Sequence, residues 1–453
     1  MKAFKKVSIV ATAAVLAVGT AFSLAGCGDD EKYEDTDGVT KVLMWIHKTE
    51  EQPEGSVYFG LAENFNKEEH MTADGSKKIE VILESKTDAN TLAENLQIAK
   101  ASNDRYPDVL AVDAPKIAQY VNDEYIGDIT EYVSAAEKED YKDSVIKQAT
   151  IGNKLYALSA METPTALFYN KEVVTRDVLT KAGVSDYATV QNPWTWDELA
   201  RVLKVIGKSN SQQISIPYGF GGVAGDLYFY SPLVYSAGGE VFNNDTQKME
   251  GALDSETSAK ALAELQKVEA YRYKGSSKYA LATGDIGFAL HGPWLLNDIE
   301  TSSYRDKLRN IAAMPMPVVT KTDGTKGKVT SGCGSWCLAM SPTPRNADAA
   351  TQVIKYFTSA KASMEFFSAI GTFPTHNSCY TDTGMNEELT KGVYGDVAKL
   401  MDYATPRPTT IRCGNIEQAF KDIVGKVQTS SGYDADKFWA DVKQVVKTYD
   451  VYN

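Results

Sequence analysis

Short apolar runs alternate with helical patterns through the first half of the chain. VLMWI (42–46), IEVIL (79–83) and DVLAV (108–112) are each too short for a helix and read as strands. Between them, residues 56–68 and 89–100 carry apolar positions at three-and-four spacing, as in Leu92, Leu96 and Ala99. Strand–helix–strand alternation predicts a parallel sheet with helices packed on it. IGNKLYALS (151–159) reads as a small hairpin, and ALFYN (166–170) as a central strand.

Helix signals become explicit further on. Thr195-Trp196-Asp197-Glu198 has the form of a capping box, with Thr195 as N-cap and Glu198 three residues later. Ser255 precedes an Ala/Leu/Glu-rich pattern that predicts one long helix to about Tyr271. IGFAL (286–290) reads as a strand of a parallel sheet, followed by the turn WLLNDIE. The prolines of IAAMPMPVV (311–319) suit an edge strand or a crossing between domains. CGSWCLAMS (333–341) predicts one strand, and NADAATQVIKYF and KASMEFFSAI predict two helices. A Pro-containing crossing, GTFPTHNS, then leads to a helical C-terminus.

The N-terminus changes where this fold must work. Lys2, Lys5 and Lys6 precede an apolar run from Val7 to Ala25, the pattern of a secretory signal peptide. The ending Leu24-Ala25-Gly26-Cys27 resembles the lipobox of bacterial lipoproteins, which implies cleavage before Cys27 and a diacylglycerol on its sulfur. GDDEKYEDTDG (28–38) is acidic and nearly free of apolar residues, so it reads as a tether. No later segment is long and apolar enough to span a bilayer. The expected segments are a signal peptide at 1–26 and a lipidated tether at 27–38, placing the body on the outer face of the cytoplasmic membrane, or on the cell surface in a Gram-positive host.

Charge narrows the partners. The full chain carries a formal charge of −13, which loss of three lysines lowers to −16 in the processed form. Phosphate neutralisation needs clustered Lys and Arg, so nucleic acid is not expected as a partner. About 415 residues follow the tether, and cores stop growing beyond roughly 250–300 residues, so two domains are the default. Cys333, Cys337, Cys379 and Cys413 remain after Cys27. On one strand Cys333 and Cys337 would stand about 13 Å apart, too far to pair with each other, and the sequence leaves their partners open.

Catalytic and cofactor motifs are absent. His47, His70, His291 and His376 form no ligand spacing, and there is no GxSxG elbow or Walker loop. No cofactor and no metal are expected. The positive signal is aromatic: six Trp and 25 Tyr exceed what a core needs, since each Tyr hydroxyl must find a partner. Sugars offer flat C–H faces ringed by hydroxyls, so they call for aromatic platforms beside carboxylates and amides. GDLYFYSPLVYSAGG (225–239) interleaves these types. In HGPW (291–294), Gly292 permits a sharp turn and Pro293 sets φ for a helix start. Trp294 is thereby delivered to the rim of a sheet, where ligands of such folds bind.

WIHKTE, YPDVLAVD, ALFYNKE, PWTWDEL, YSAGG, HGPW, AMPMPV and GCGSWCLAMS follow one another across essentially the whole processed chain. In that order they resemble the extracellular solute-binding proteins of ABC sugar importers, the maltose-binding type. The resemblance implies an α/β, two-lobed periplasmic-binding-protein-like fold, each lobe a mostly parallel sheet flanked by helices, joined by several crossing segments. Lobe one would comprise residues 39–157 with 318–372, and lobe two 158–317 with 373–453.

The same resemblance supplies site residues. Trp294 matches the family's stacking Trp, and Asp226 and Tyr228 fall where it places a sugar-binding acid and ring. Glu162 sits near a family cleft carboxylate, displaced by one residue. Trp45, His47 and Glu50 occupy the loop after the first strand, which the family uses for polar sugar contacts. Asp113 ends a strand at a cleft-facing loop, and Val112 stands where the maltose binder has a Trp. Trp336 and Arg412 lie in cleft-lining segments, whereas Trp194 and Trp196 are assigned to helix packing.

The expected function is a monomeric, membrane-anchored protein that binds a mono- to oligosaccharide and delivers it to ABC permease subunits without breaking a bond. An exported glycoside hydrolase and a binder of peptides or other solutes are the rival readings.

Overall fold

The structure is a computed structural model that describes residues 33–102, 105–207, 214–215, 225–321, 323–381, 387, 389–429 and 434–450. The signal peptide, Cys27 and most of the tether lie outside the described residues. Among the described residues, eleven strands build the two main sheets and one of the crossings between them. In chain order they are β1 (Val39–Ile46), β2 (Lys78–Ser85), β3 (Val109–Asp113), β4 (Ala157–Leu158), β5 (Ala166–Asn170) and β6 (Ile214–Ser215). Then follow β7 (Phe288–His291), β8 (Ile311–Met314), β9 (Ser331–Cys333), β10 (Trp336–Met340) and β11 (Ala404–Pro406).

They build two sheet-centred lobes. The first sheet runs β2-β1-β3-β10-β4, and the second β8-β5-β7-β6. Both are mixed where mostly parallel sheets were expected. In the first, β1 pairs parallel with β2 and β3, while β10 runs antiparallel to β3 and β4. In the second, β5 is antiparallel to both β7 and β8, and β7 is parallel only to β6. The register gives the reason. Trp336, the first residue of β10, pairs with Asp113, the last of β3, and Ala166, the first of β5, pairs with His291, the last of β7. A chain re-entering a lobe from the crossing region starts at the end where the outgoing strand stops, so it must run the other way.

Each sheet carries its own core. The first gathers Leu43, Ile46, Phe65, Leu110, Leu338 and Phe357; the second gathers Leu167, Trp196, Leu203, Phe288, Phe420 and Phe438. Full burial of such side chains stabilises by roughly 1.5–3 kcal/mol each. A smaller cluster around Phe168, Leu296, Phe373 and Val397 sits on the other face of the second sheet. Trp194 and Trp196 are both buried in the main core of the second sheet as packing residues, and Trp194 Nε1 donates to the Asp186 carbonyl.

Local signals explain the helices. The capping box forms as read: Thr195 Oγ1 accepts from the Glu198 amide, and Glu198 Oε2 accepts from the Thr195 amide at 2.7 Å. The helix it opens, Trp196–Ile206, buries Trp196, Leu199, Val202, Leu203 and Ile206. Ser255 also caps its helix, but that helix ends at Ala263 instead of reaching Tyr271. There the amides of Glu264 and Leu265 bond to carbonyls three residues back, which tightens the turn before a short helix resumes at Gln266. Among the described residues no helix is long and apolar enough to cross a membrane.

The lobes are joined where several segments cross side by side. β9 pairs parallel with β11, Met161–Glu162 pairs with Phe373–Pro374, and the Thr165 amide donates to the Gly332 carbonyl. CGSWCLAMS is therefore two strands, β9 and β10, separated at Gly334-Ser335, and not one. Cys333, Cys337, Cys379 and Cys413 are all buried, and none of them is joined in a disulfide among the described residues.

Candidate functional site

A cleft of about 920 Å³ opens between the lobes above these crossings. The first lobe lines it with Lys48 and Glu54 beyond β1, Asp113 at the end of β3 and Trp336 at the start of β10. The second lobe contributes Tyr228 and Phe229 from the helix Gly225–Ala237, and Trp294 and Asn297 from the helix Trp294–Glu300. Thr163, Gly334 and Arg407 belong to the crossing segments, and Glu417 reaches in from the helix Cys413–Thr429. The β1 and β3 residues stand beyond the carboxyl ends of parallel strands, where α/β sheets place ligands.

The HGPW turn now has a physical account. Pro293 takes φ −66°, a helical value, and the indole of Trp294 folds back over Gly292. A Cβ on Gly292 would come within 2.0 Å of that indole, so a side chain at 292 would expel the ring from its place. Trp294 then stacks on Tyr228, with ring centroids 5.9 Å apart and planes inclined by 30°, and meets Phe229 at 6.4 Å. The Tyr228 hydroxyl donates to the Thr163 carbonyl, and burial raises its pKa. The helix bearing Tyr228 packs so close to β9 that a Cβ on Gly332 would lie 2.1 Å from the Tyr228 carbonyl oxygen.

Charge in the cleft is arranged in pairs. Arg407 is 8% exposed, with Nη2 2.7 Å from Asp113 Oδ1 and Nη1 3.4 Å from Oδ2. Burial disfavours its charge, but Asp113 outweighs that cost and raises its pKa. Burial raises the pKa of Glu417, partly offset by Arg407, and the Cys413 thiol donates to it at 3.5 Å. Glu54 has His47 Nε2 at 3.2 Å and Lys48 Nζ at 3.6 Å. Burial pushes the Glu54 carboxyl up, and His47 with Lys48 brings it below its ordinary value.

Of the residues singled out from the sequence, Trp294, Tyr228, Asp113 and Trp336 come together around this cleft. Asp226 lies on the same helix as Tyr228, but its side chain is outside the described residues. The others sit elsewhere. Glu162 is fully buried among the crossings, accepting from the Thr163 and Gly334 amides and from Ser144 and Gln148. Burial raises its pKa. Trp45 is buried in the first lobe with Lys86 Nζ 3.8 Å from its ring centroid. His47 lies behind Trp336, and Glu50 is exposed away from the lining. Arg412 bonds to the Gln247 carbonyl and to Asp450, tying the C-terminal helices to the second lobe.

Sequence reading missed Arg407, Phe229, Lys48, Glu54 and Glu417. Phe229 carried a signal, since it adjoins Tyr228 in the aromatic run LYFY. Arg407 carried none, because Pro406 and Pro408 flank it in a segment without periodicity.

A model of the bacterial extracellular solute-binding protein family matches residues 54–364. A Deinococcus radiodurans protein named "Probable ABC transporter-binding protein" is 23% identical over 369 residues, 74% of this chain and 81% of that one. Among solved structures, the cyclic alpha-maltosyl-1,6-maltose binding protein of Arthrobacter globiformis superposes with a TM-score of 0.73 at 17% identity, covering 91% of this chain and 99% of the other. The GacH receptor of Streptomyces glaucescens, solved unliganded and with acarbose, gives 0.67 at 20% identity, covering 91% and 98%. Both share the two-lobed fold.

Proposed function

The chain belongs to the bacterial extracellular solute-binding family, and from that premise we propose that it captures a carbohydrate in the inter-lobe cleft and delivers it to an ABC permease. The observation that carries this reading is the composition of the cleft. The stacked pair Trp294–Tyr228 stands on one wall and the indole of Trp336 on the other, with Asp113 and Arg407 between them. Indole and phenol faces cover the C–H faces of a pyranose, and the ion-paired groups, Thr163 and Asn297 bind its hydroxyls. A volume of about 920 Å³ lies near the top of the roughly 300–1,000 Å³ typical of small-molecule sites, which favours an oligosaccharide over a single ring.

The moving bodies in this proposal are residues 39–157 with 318–372 and residues 158–317 with 373–453. Closure about the crossings expels water and presents a closed form to the permease. It is favoured only in so far as the sugar binds the closed state better than the open one. The reaction is binding alone, and incubation with oligosaccharides releases no new reducing ends. A diacylglycerol on Cys27 holds a monomer at the outer face of the membrane.

A thermal-shift screen tests the reading. A ligand at 100 times its Kd adds about 2.7 kcal/mol of stability. A rise in Tm with oligosaccharides is expected; a rise with short peptides and with no sugar overturns the proposal.

A further inference from the structure

β1 delivers His47 to a place where a core would ordinarily put an apolar side chain. His47 is 2% exposed, and neither of its ring nitrogens has an aligned hydrogen bond. Buried polar atoms without such bonds are uncommon, and each asks for a reason. Its ring lies flat on Trp336, with centroids 3.4 Å apart and planes 14° from parallel. On its edge Nε2 faces Glu54 Oε1 at 3.2 Å, and Glu54 is held in turn by Lys48. Trp336 and Glu54 line the cleft, but His47 does not.

We propose that His47 is a positioning residue that acts through Trp336, fixing the indole plane against which a ligand ring stacks on the first-lobe wall. The inference rests on the carbohydrate reading of the cleft and deepens it. A Trp on a cleft rim loses side-chain freedom when a ligand lands on it, and a ring already clamped on its far face has lost that freedom beforehand. The clamp needs a planar group one ring-thickness behind the indole. The Glu54 contact sets the rotation of the imidazole, and Lys48 anchors Glu54. Trp336 opens β10 and pairs with Asp113, so the clamped ring stands beside the Arg407–Asp113 pair.

A double-mutant cycle on the full chain tests this, using the oligosaccharide that gives the largest Tm rise with the wild-type protein and Kd values from calorimetry. His47→Ala should weaken binding by tenfold or more, whereas His47→Phe, which keeps a flat ring behind the indole, should stay within about threefold of wild type. In a Trp336→Ala background His47→Ala should cost nothing further, because its effect has no other route. The inference is overturned if His47→Ala binds as wild type, if Phe fails to rescue, or if His47→Ala costs as much with Trp336 absent as with it present. If the wild-type protein answers to peptides and no sugar, the carbohydrate reading falls, and the same cycle run with that peptide decides the role of His47 by the same three outcomes.

Discussion

Arg407 and Asp113 form a nearly buried ion pair between the last crossing segment and the end of β3, with Nη2 and Oδ1 2.7 Å apart. Removing one partner of such a pair leaves the other charge uncompensated, at a cost of about 3–5 kcal/mol. Asp113→Ala should therefore lower the unfolding free energy by about that much, read from urea titration. An unchanged midpoint would mean that Glu417 neutralises Arg407 unaided.

Trp294→Ala should leave a cooperatively folding protein with sugar affinity reduced about 10- to 100-fold, from the roughly 1.5–3 kcal/mol that burial of a large apolar face supplies. Calorimetric titration checks it. Wild-type affinity would assign the indole to packing on Tyr228 and Phe229 alone.

His376 is 6% exposed, and burial pushes its pKa down to about 4, with Asp140 opposing. The unfolded chain takes up this proton near pH 6.5, and the folded chain only near 4. Its contribution is thus complete above pH 6.5 and is lost as pH falls toward 4, at roughly 1.4 kcal/mol per pH unit. Burial shifts His291 the same way. Comparing His376→Gln with wild type by urea titration at pH 7 and pH 5 should show the variant losing less stability on acidification. Parallel losses would place the titration elsewhere.

Thr195→Ala removes the acceptor for the Glu198 amide and should cost about 1 kcal/mol, with Thr195→Ser near neutral. Thermal melts of the two variants separate these outcomes. Equal Tm values would show that Lys326, 3.2 Å from Glu198, holds the helix start without the cap.

Glu162→Gln keeps one acceptor oxygen where the carboxylate serves four donors, and turns an amide toward the rest. A loss of about 1–3 kcal/mol is expected from donors left unsatisfied. Urea unfolding at pH 7 measures it, and a stabilised variant would show that burial of the charge outweighs its hydrogen bonds.

Elements that depend on local chemistry were legible in the sequence. β1, β2 and β3 are apolar runs too short for helices, the Thr195 box closes within four residues, and Trp294 is placed by the two residues before it. Features that depend on the chain coming back were not. The direction of β10 follows from where it re-enters the first lobe, which no window of sequence displays. At the break between β9 and β10 the neighbour is Arg407, distant in sequence, whose Nη2 would lie 2.7 Å from any Cβ on Gly334 and so leaves no room for a side chain there. Glu162 was read as a cleft acid because its position lies near one, but the packed crossings enclose it. Arg412 sits five residues beyond Arg407, which does line the cleft, at the mouth of a helix that turns it toward Asp450.

The central place of β10 in the first sheet, between β3 and β4, has a consequence for biosynthesis. Those two flanking strands leave the ribosome long before residue 336 is made, and until then each shows a bare edge able to recruit a foreign strand. A chain cut short before residue 336 is thus left with two strand edges open to foreign pairing.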